Sequence, residues 1–96
     1  MKVIIKKSTR SGKKMMAEFF EGDRKIKTTH FGDINYQHYT GGHLNELRRR
    51  NYVDRHRANE DFSNYMSAGS LSLYILWTEK TIVKAIANYK KKFNLT

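Results

Sequence analysis

Two glycine-centred turns near the start of the chain most constrain what it can fold into. Gly12 lies in the polar stretch 8–13 and Gly22 is flanked by acidic residues, and both compositions are typical of tight turns. Strand-favouring residues alternate with polar ones in the runs beside these turns, which are 2–7, 14–20 and 24–31. Because short connections join neighbouring antiparallel strands, these runs predict a three-stranded antiparallel β-meander over residues 2–31, with one solvated face.

Three helices are predicted to follow the meander. The first, 43–58, holds strong helix formers but only a weak apolar stripe. The second, 68–77, follows the N-cap candidate Ser67 and is apolar on most sides, so it is predicted to be buried. The third, 79–93, carries apolar side chains at i, i+4, i+7 and i+11. Together these elements predict a single small α+β domain spanning the whole chain.

The net charge is the strongest global signal. Nineteen Lys and Arg against nine Asp and Glu give a formal charge of +10 on 96 residues. Solubility alone needs a net charge of only about 2–8 in a small domain. The excess therefore favours a polyanionic partner, which is nucleic acid, an anionic membrane face or an acidic protein surface. The chain has no cysteine, which excludes disulfides, thiolate catalysis and a zinc knuckle.

The arginines crowd into one segment of the first predicted helix. Five of them fall within residues 48–57, namely Arg48, Arg49, Arg50, Arg55 and Arg57. Guanidinium groups donate paired hydrogen bonds to phosphate and carboxylate alike, so this segment is predicted to contact an anionic partner. The alternative is a solvated helix braced by its own carboxylates, with Glu46 reaching Arg50 and Asp54 reaching Arg50 or Arg57.

A second basic set flanks the first turn and is a further candidate for anion or partner binding. Its members are Lys6, Lys7, Arg10, Lys13 and Lys14. Lys25 and Lys27 are predicted on the outer face of the third strand, where lysines also serve to prevent edge pairing.

The aromatic residues divide into two groups. Tyr36, Tyr39 and Tyr52 lie near arginines and are candidates to stack on bases. Tyr36 and Tyr39, in a loop beside Gly41-Gly42, are predicted equally to anchor a protein interface. The other group is predicted to be core and consists of Tyr74, Trp77, Tyr89 and Phe93. His56 is predicted to pack and hydrogen-bond beside Tyr52, one helical turn away.

No catalytic, metal or cofactor motif is present, and the chain is predicted to be non-enzymatic. The four histidines, His30, His38, His43 and His56, match no metal-ligand spacing. Asp33, Asp54, Glu60 and Asp61 are the candidates for a magnesium-dependent nuclease, but no motif spacing organises them. The longest nonpolar patch, 71–77, is interrupted by a serine and is too short to insert across a membrane.

Several short motifs along the chain are similar to those of one known family. They are His30-Phe31-Gly32, Tyr36-x-x-Tyr39-Thr40, Arg49-Arg50-x-Tyr52-x-x-Arg55-His56, Asn59-Glu60-Asp61-Phe62, Ala68-Gly69-x-Leu71-Ser72, Ile75-Leu76-Trp77 and Tyr89-Lys90-Lys91-Lys92-Phe93. In this order they resemble a largely uncharacterised family of small basic proteins encoded by large double-stranded DNA viruses of eukaryotes. The chain departs from it near Phe62, where the family tends to have a tryptophan, and at Thr78, where it has an asparagine.

The resemblance implies a viral context and carries no catalytic residues to transfer. It favours a non-enzymatic structural protein, a minor capsid or internal virion component that docks its arginine-rich surface on acidic faces of other virion proteins. The alternative is a sequence-nonspecific nucleic-acid-binding protein that contacts phosphates through the arginine helix and the first-turn lysines. The expected location is the virion, or otherwise the host cytoplasm or nucleus.

Overall fold

The computed structural model describes residues 1–59 and 64–96, apart from the side chains of residues 57–59. Three strands come first, β1 (Lys2–Lys7), β2 (Lys13–Glu21) and β3 (Arg24–Asp33), and they pair antiparallel in the order β1-β2-β3. Three α-helices follow, α1 (Glu46–Asn59), α2 (Ala68–Leu76) and α3 (Ile82–Lys92). The predicted α+β fold, with its antiparallel meander followed by helices, is confirmed.

One face of the sheet is buried beneath the helices. Val3, Ala17, Phe19 and Phe31 all point to this face and are almost fully buried. Thr29 shares it, because its hydroxyl donates to the carbonyl of Met66 just ahead of α2 (2.8 Å). This alternation along neighbouring strands gives one core face and one open face.

The open face is organised around a carboxylate. Glu18 lies there between Lys6 (2.8 Å) and Lys25 (3.1 Å), and both lysines hold the pKa of the Glu18 carboxyl below its usual value. The prediction of an outer-face position is confirmed for Lys25. It is wrong for Lys27, which lies opposite buried Phe19 in the register and so on the helix side, at its exposed margin. A register shift between Phe19 and Phe20 separates the two lysines.

Capping residues set the starts of α2 and α3. Ser67 caps α2 as predicted, and its hydroxyl accepts from the backbone N–H of Ser70 (3.1 Å). The start predicted for the last helix at residue 79 is wrong, because Thr81 is the N-cap and accepts from the N–H of Lys84 (3.3 Å). The predicted ends at 77 and 93 also shift, since α2 ends at Leu76 and α3 at Lys92.

The start of α1 differs from the predicted position at residue 43. The segment Tyr39–His43 forms one wide, irregular turn, and Leu44 then adopts a left-handed conformation (φ +53°) that no helix continues through. The side chain of Asn45 accepts from the N–H of Arg48 (3.1 Å) and so caps a helix that begins at Glu46. The backbone of Gly41 is hydrogen-bonded in this turn, because its N–H donates to the carbonyl of Lys80 (3.0 Å).

The core lies between the sheet, α2 and α3. Leu71, Ile75 and Trp77 are almost completely buried, so the prediction that the second helix is the buried one is confirmed. On α3 the predicted stripe faces the core, with Tyr89 fully buried and its hydroxyl donating to the carbonyl of Tyr65. Tyr74 and Phe93 pack against this core while remaining half-buried.

Gly32 should not tolerate a side chain. Its φ is +81°, and a Cβ there would lie 2.9 Å from Cδ1 of buried Leu76. Gly12 is the matched control, because its φ is +83° and a Cβ would meet nothing within 4 Å. We expect Gly12→Ala to cost only the left-handed strain, about 1–2 kcal/mol of unfolding free energy, and Gly32→Ala to cost clearly more. Urea denaturation of both variants measures the difference, and equal midpoints would show that Leu76 gives way freely.

Candidate functional site

The arginines of α1 divide between exposed positions and one half-buried position. Arg48, Arg50 and Arg55 are exposed, and Arg48 donates through Nη1 to the side-chain oxygen of Gln37 (3.1 Å). Arg57 belongs to the same predicted set, but its side chain lies outside the part that the structure describes. Arg48 and Arg55 share one side of α1 and Arg50 lies on another. The three exposed arginines thus form a basic surface that extends around a helix with little apolar character.

Arg49 has a different position and supports the fold. Its Nε donates to the carbonyl of Trp77 (3.0 Å), and its guanidinium lies 5.5 Å from the ring centre of Tyr39. The Glu46 carboxylate lies 3.7 Å from Nη1 of Arg49. It therefore forms its ion pair with Arg49 and not with Arg50, the predicted partner. Because these contacts occupy the guanidinium, Arg49 is not part of the basic surface.

Only one of the two predicted interface tyrosines is accessible. Tyr39 is 2 % exposed, and its hydroxyl donates to Glu46 (2.6 Å), which raises the pKa of Tyr39 above its usual value. A buried side chain cannot anchor a partner, so that prediction is wrong for Tyr39. Tyr36 is 47 % exposed and remains a candidate.

The first-turn cations divide in the same way. Lys7, Arg10 and Lys13 are exposed, whereas Lys6 is held by Glu18. Lys14 is half-buried, donates through Nζ to the carbonyl of Tyr36 (2.8 Å), and lies 2.6 Å from Nδ1 of His38. Burial lowers the pKa of the Lys14 ammonium.

A ladder of three rings joins α1 to the end of α2. Tyr52 lies parallel to Trp77 with ring centres 4.1 Å apart, and His56 stacks on Tyr52 at 3.9 Å. Two rings that are both this close to Tyr52 must occupy its opposite faces, so the order is Trp77, Tyr52, His56. The prediction that His56 packs beside Tyr52 is confirmed, and Nδ1 of His56 lies 2.9 Å from the Tyr52 carbonyl.

A cavity of about 420 Å³ opens between β3, α1 and α2, beside this ladder. Its lining combines aromatic rings with cations, chiefly Lys13, Tyr36, Tyr52, Arg55, His56 and Trp77. The two basic sets that the sequence shows as separate thus meet here, because Arg55 comes from α1 and Lys13 from the start of β2, beside the first turn. Asp33 is the single carboxylate among the described lining residues.

The sequence alone did not reveal this cavity. Trp77 was assigned to the core, which is correct at 2 % exposure, yet it also lines the cavity. The one local signal was the aromatic pair Tyr52 and His56, which the i, i+4 spacing places on one side of α1. Lys13, Trp77 and Arg55 are far apart in the sequence, and only the tertiary fold brings them together.

His38 makes the fold sensitive to acid. It is 6 % exposed, and burial, with the nearby Lys14 and His43, lowers its pKa to about 4. The unfolded chain, with a His pKa of about 6.5, therefore binds more protons than the native protein between pH 6.5 and 4. We expect the free energy of unfolding to fall as the pH drops through this window, and to fall less steeply in His38→Gln. Thermal melts from pH 7 to pH 4 measure both slopes, and identical slopes would exclude His38 as the source.

The carboxylates do not assemble into a metal site within the part of the chain that the structure describes, where no group of three His, Asp or Glu side chains converges. Asp33 accepts from the backbone N–H of Asn35 (2.9 Å), and Asp54 is exposed on α1. The other two nuclease candidates, Glu60 and Asp61, lie outside the described residues.

None of the helices formed by the described residues has the length and apolar character required to cross a bilayer.

Comparison with known proteins adds one match. A family model matches residues 3–56, and its description is a family of unknown function, DUF5754. The matched stretch covers the sheet, the turn Tyr39–His43 and α1 as far as His56, and so includes the exposed arginines. No curated protein and no solved structure matches the chain.

Proposed function

The chain belongs to the DUF5754 family of unknown function, and we propose, from the chemistry of its own surface, that it is a non-enzymatic protein that binds nucleic acid without sequence specificity. Exposed guanidinium groups on α1 contact backbone phosphates, and the first-turn cations extend this contact surface. The observation that carries the proposal is the meeting of Arg55 and Lys13 at one aromatic-lined cavity. Proteins that bind single strands combine cations for the backbone with aromatic rings for the bases in this way.

The distribution of charge supports a phosphate partner. Among the described carboxylates that form ion pairs, Glu18 holds Lys6 and Lys25, Glu46 holds Arg49, and Glu79 holds Lys84. None of these pairs involves Arg48 or Arg50, which are exposed on α1. With a formal charge of +10, the protein gains affinity for a polyanion by releasing condensed counterions.

The test is titration with random-sequence duplex and single-stranded DNA over a range of salt concentrations. Each neutralised phosphate contributes a slope of about −0.9 in log K against log salt for duplex and about −0.7 for a single strand. If the three exposed α1 arginines and Lys13 all contact phosphate, we expect a slope of about −3 to −4. Absence of binding at low salt would contradict the proposal.

Docking on an acidic protein surface is the second candidate, and one observation favours it. Leu44 and Leu47 are 47 % and 65 % exposed, beside Arg48 near the start of α1. Apolar side chains contribute nothing to phosphate binding, whereas they suit the centre of a protein interface with arginine at its margin. The minor capsid role and the viral origin that the sequence motifs imply belong to this proposal. Stoichiometric protein in icosahedral shells stripped of genome would support it.

Leu44→Ser combined with Leu47→Ser separates the two candidates. The double substitution should leave DNA affinity unchanged if phosphate is the partner, because no charge is altered. It should abolish retention on such shells if the leucines form the centre of a protein interface.

A further inference from the structure

We propose that the cavity between β3, α1 and α2 receives one unstacked base of a single-stranded nucleic acid. This inference rests on the proposed function and gives it a specificity, a preference for single strands over duplex. The basic surface alone has no such preference, because phosphates are present in both. The preference would come from the rings and from the size of the cavity.

The dimensions and lining fit a planar ring. A volume of about 420 Å³ lies within the range of about 300–1,000 Å³ that small-molecule sites occupy. The ring of Tyr36 is nearly half exposed, and it lies 6.3 Å from Trp77, at an angle of 53°. Its position beside the stacked rings of Trp77, Tyr52 and His56 gives the cavity a preformed aromatic wall. Every base has a π-face, so such a wall accepts bases without regard to sequence.

The charges at the cavity match a nucleotide rather than a free aromatic ring. Lys13 and Arg55 line it from two different elements, so phosphates on either side of an inserted base each have a cation within the same site. Asp33 supplies the opposite chemistry, because a carboxylate accepts hydrogen bonds from the amino groups of bases. Burial keeps the pKa of His38 near 4, so this lining residue is neutral at pH 7 and adds no charge.

A duplex cannot fill the cavity without losing a base pair. Its bases are paired and stacked, so extruding one requires unstacking and unpairing energy. The bases of a single strand are unpaired, so inserting one into the cavity costs much less. Arg48 and Arg50, which are exposed on α1, can contact the phosphates of either form. We therefore expect duplex DNA to bind through phosphates alone and single strands to add the base contact.

Trp77 is the only tryptophan in the chain and reports directly on the cavity. A random single-stranded oligonucleotide should change its emission saturably, in step with binding. An abasic strand of equal length should bind through phosphates and leave the emission almost unchanged. Duplex of the same length serves as the second comparison.

Ala68→Phe is the variant that blocks the cavity. Ala68 is exposed, begins α2 and lines the cavity, so a phenylalanine there fills the space without entering the core. The matched control is Val83→Phe, which adds the same ring to an exposed position in the first turn of α3, outside the cavity lining. Tyr36→Ala removes the exposed ring as a second, independent variant.

We expect Ala68→Phe and Tyr36→Ala to weaken single-strand binding by about 5- to 150-fold, the usual effect of losing one stacked base, and to leave duplex binding unchanged. The control Val83→Phe should bind single strands as tightly as the parent protein. Unaltered single-strand affinity in both variants, or a Trp77 emission that responds equally to the abasic strand, would overturn the inference. Duplex binding with a steep salt dependence would then still support the proposed function. Failure of every strand to bind would overturn both.

Discussion

Replacing Trp77 with alanine is expected to lower the free energy of unfolding by about 3–5 kcal/mol, the usual cost of truncating a buried tryptophan or phenylalanine. A small domain has only about 5–15 kcal/mol in total. Trp77 is 2 % exposed, stacks on Tyr52, and packs with its ring centre 5.4 Å from that of His43. The substitution also leaves a cavity between α1 and α2, which removes the wall on which α1 packs.

Circular dichroism during urea denaturation measures this effect, since the variant has no tryptophan fluorescence. Trp77→Phe is the control, because it retains an aromatic ring to stack on Tyr52, and it should lose clearly less stability. Both variants retain the backbone carbonyl that accepts from Nε of Arg49, so that hydrogen bond does not distinguish them. Tyr36→Ala tests the exposed neighbour and should cost little. If Trp77→Ala, Trp77→Phe and Tyr36→Ala unfold at the same urea concentration, Trp77 does not anchor α1.

The sheet was predictable because its determinants are local. Gly12 and Gly22 take φ values of +83° and +59°, which glycine adopts without strain, and each sits in a turn between paired strands. The alternation of side chains along the strands then determines the register. The same holds for α3, whose apolar stripe is visible at helical spacing and packs on the core as expected.

The region between the sheet and α1 was not predictable, because its conformation depends on distant residues. Leu44 adopts φ +53°, which leucine rarely does and no local pattern indicates. The turn that ends there is fixed by Gly41 donating to Lys80, from beyond α2, and by Tyr39 donating to Glu46. A glycine-flanked tyrosine looks exposed in the sequence, whereas these contacts bury Tyr39.

The candidate site shows the same division between local and distant information. The prediction that these arginines lie on one helix is correct, and their spacing at about 100° per residue places them on more than one side of it. It did not show that Arg49 turns inward to the carbonyl of Trp77, because that acceptor lies 28 residues away. Arginines of the same helix therefore have different roles, which only tertiary contacts distinguish.

The combined replacement Arg48→Gln, Arg50→Gln and Arg55→Gln is expected to abolish most nucleic-acid affinity. Each lost phosphate contact makes the slope of log K against log salt less steep by about 0.9 for duplex, so three make it about 2.7 less steep. At about 0.1 M salt this corresponds to roughly two to three orders of magnitude in affinity. All three side chains are exposed, and surface substitutions usually change stability by less than about 0.5 kcal/mol each.

The matched control is Lys27→Gln, Lys80→Gln and Lys91→Gln, which removes the same charge from exposed positions outside α1. Filter binding or fluorescence anisotropy over a salt series compares the two triple variants with the parent protein. If affinity depends only on net charge, the variants will weaken equally, and α1 has no special role. If the α1 variant alone loses the steep salt dependence, the phosphates lie along α1. The slope of log K against log salt depends on the number of phosphates contacted and not on the net charge of the protein. Unchanged binding in the α1 variant would instead move the contact to Lys7, Arg10 and Lys13 at the first turn.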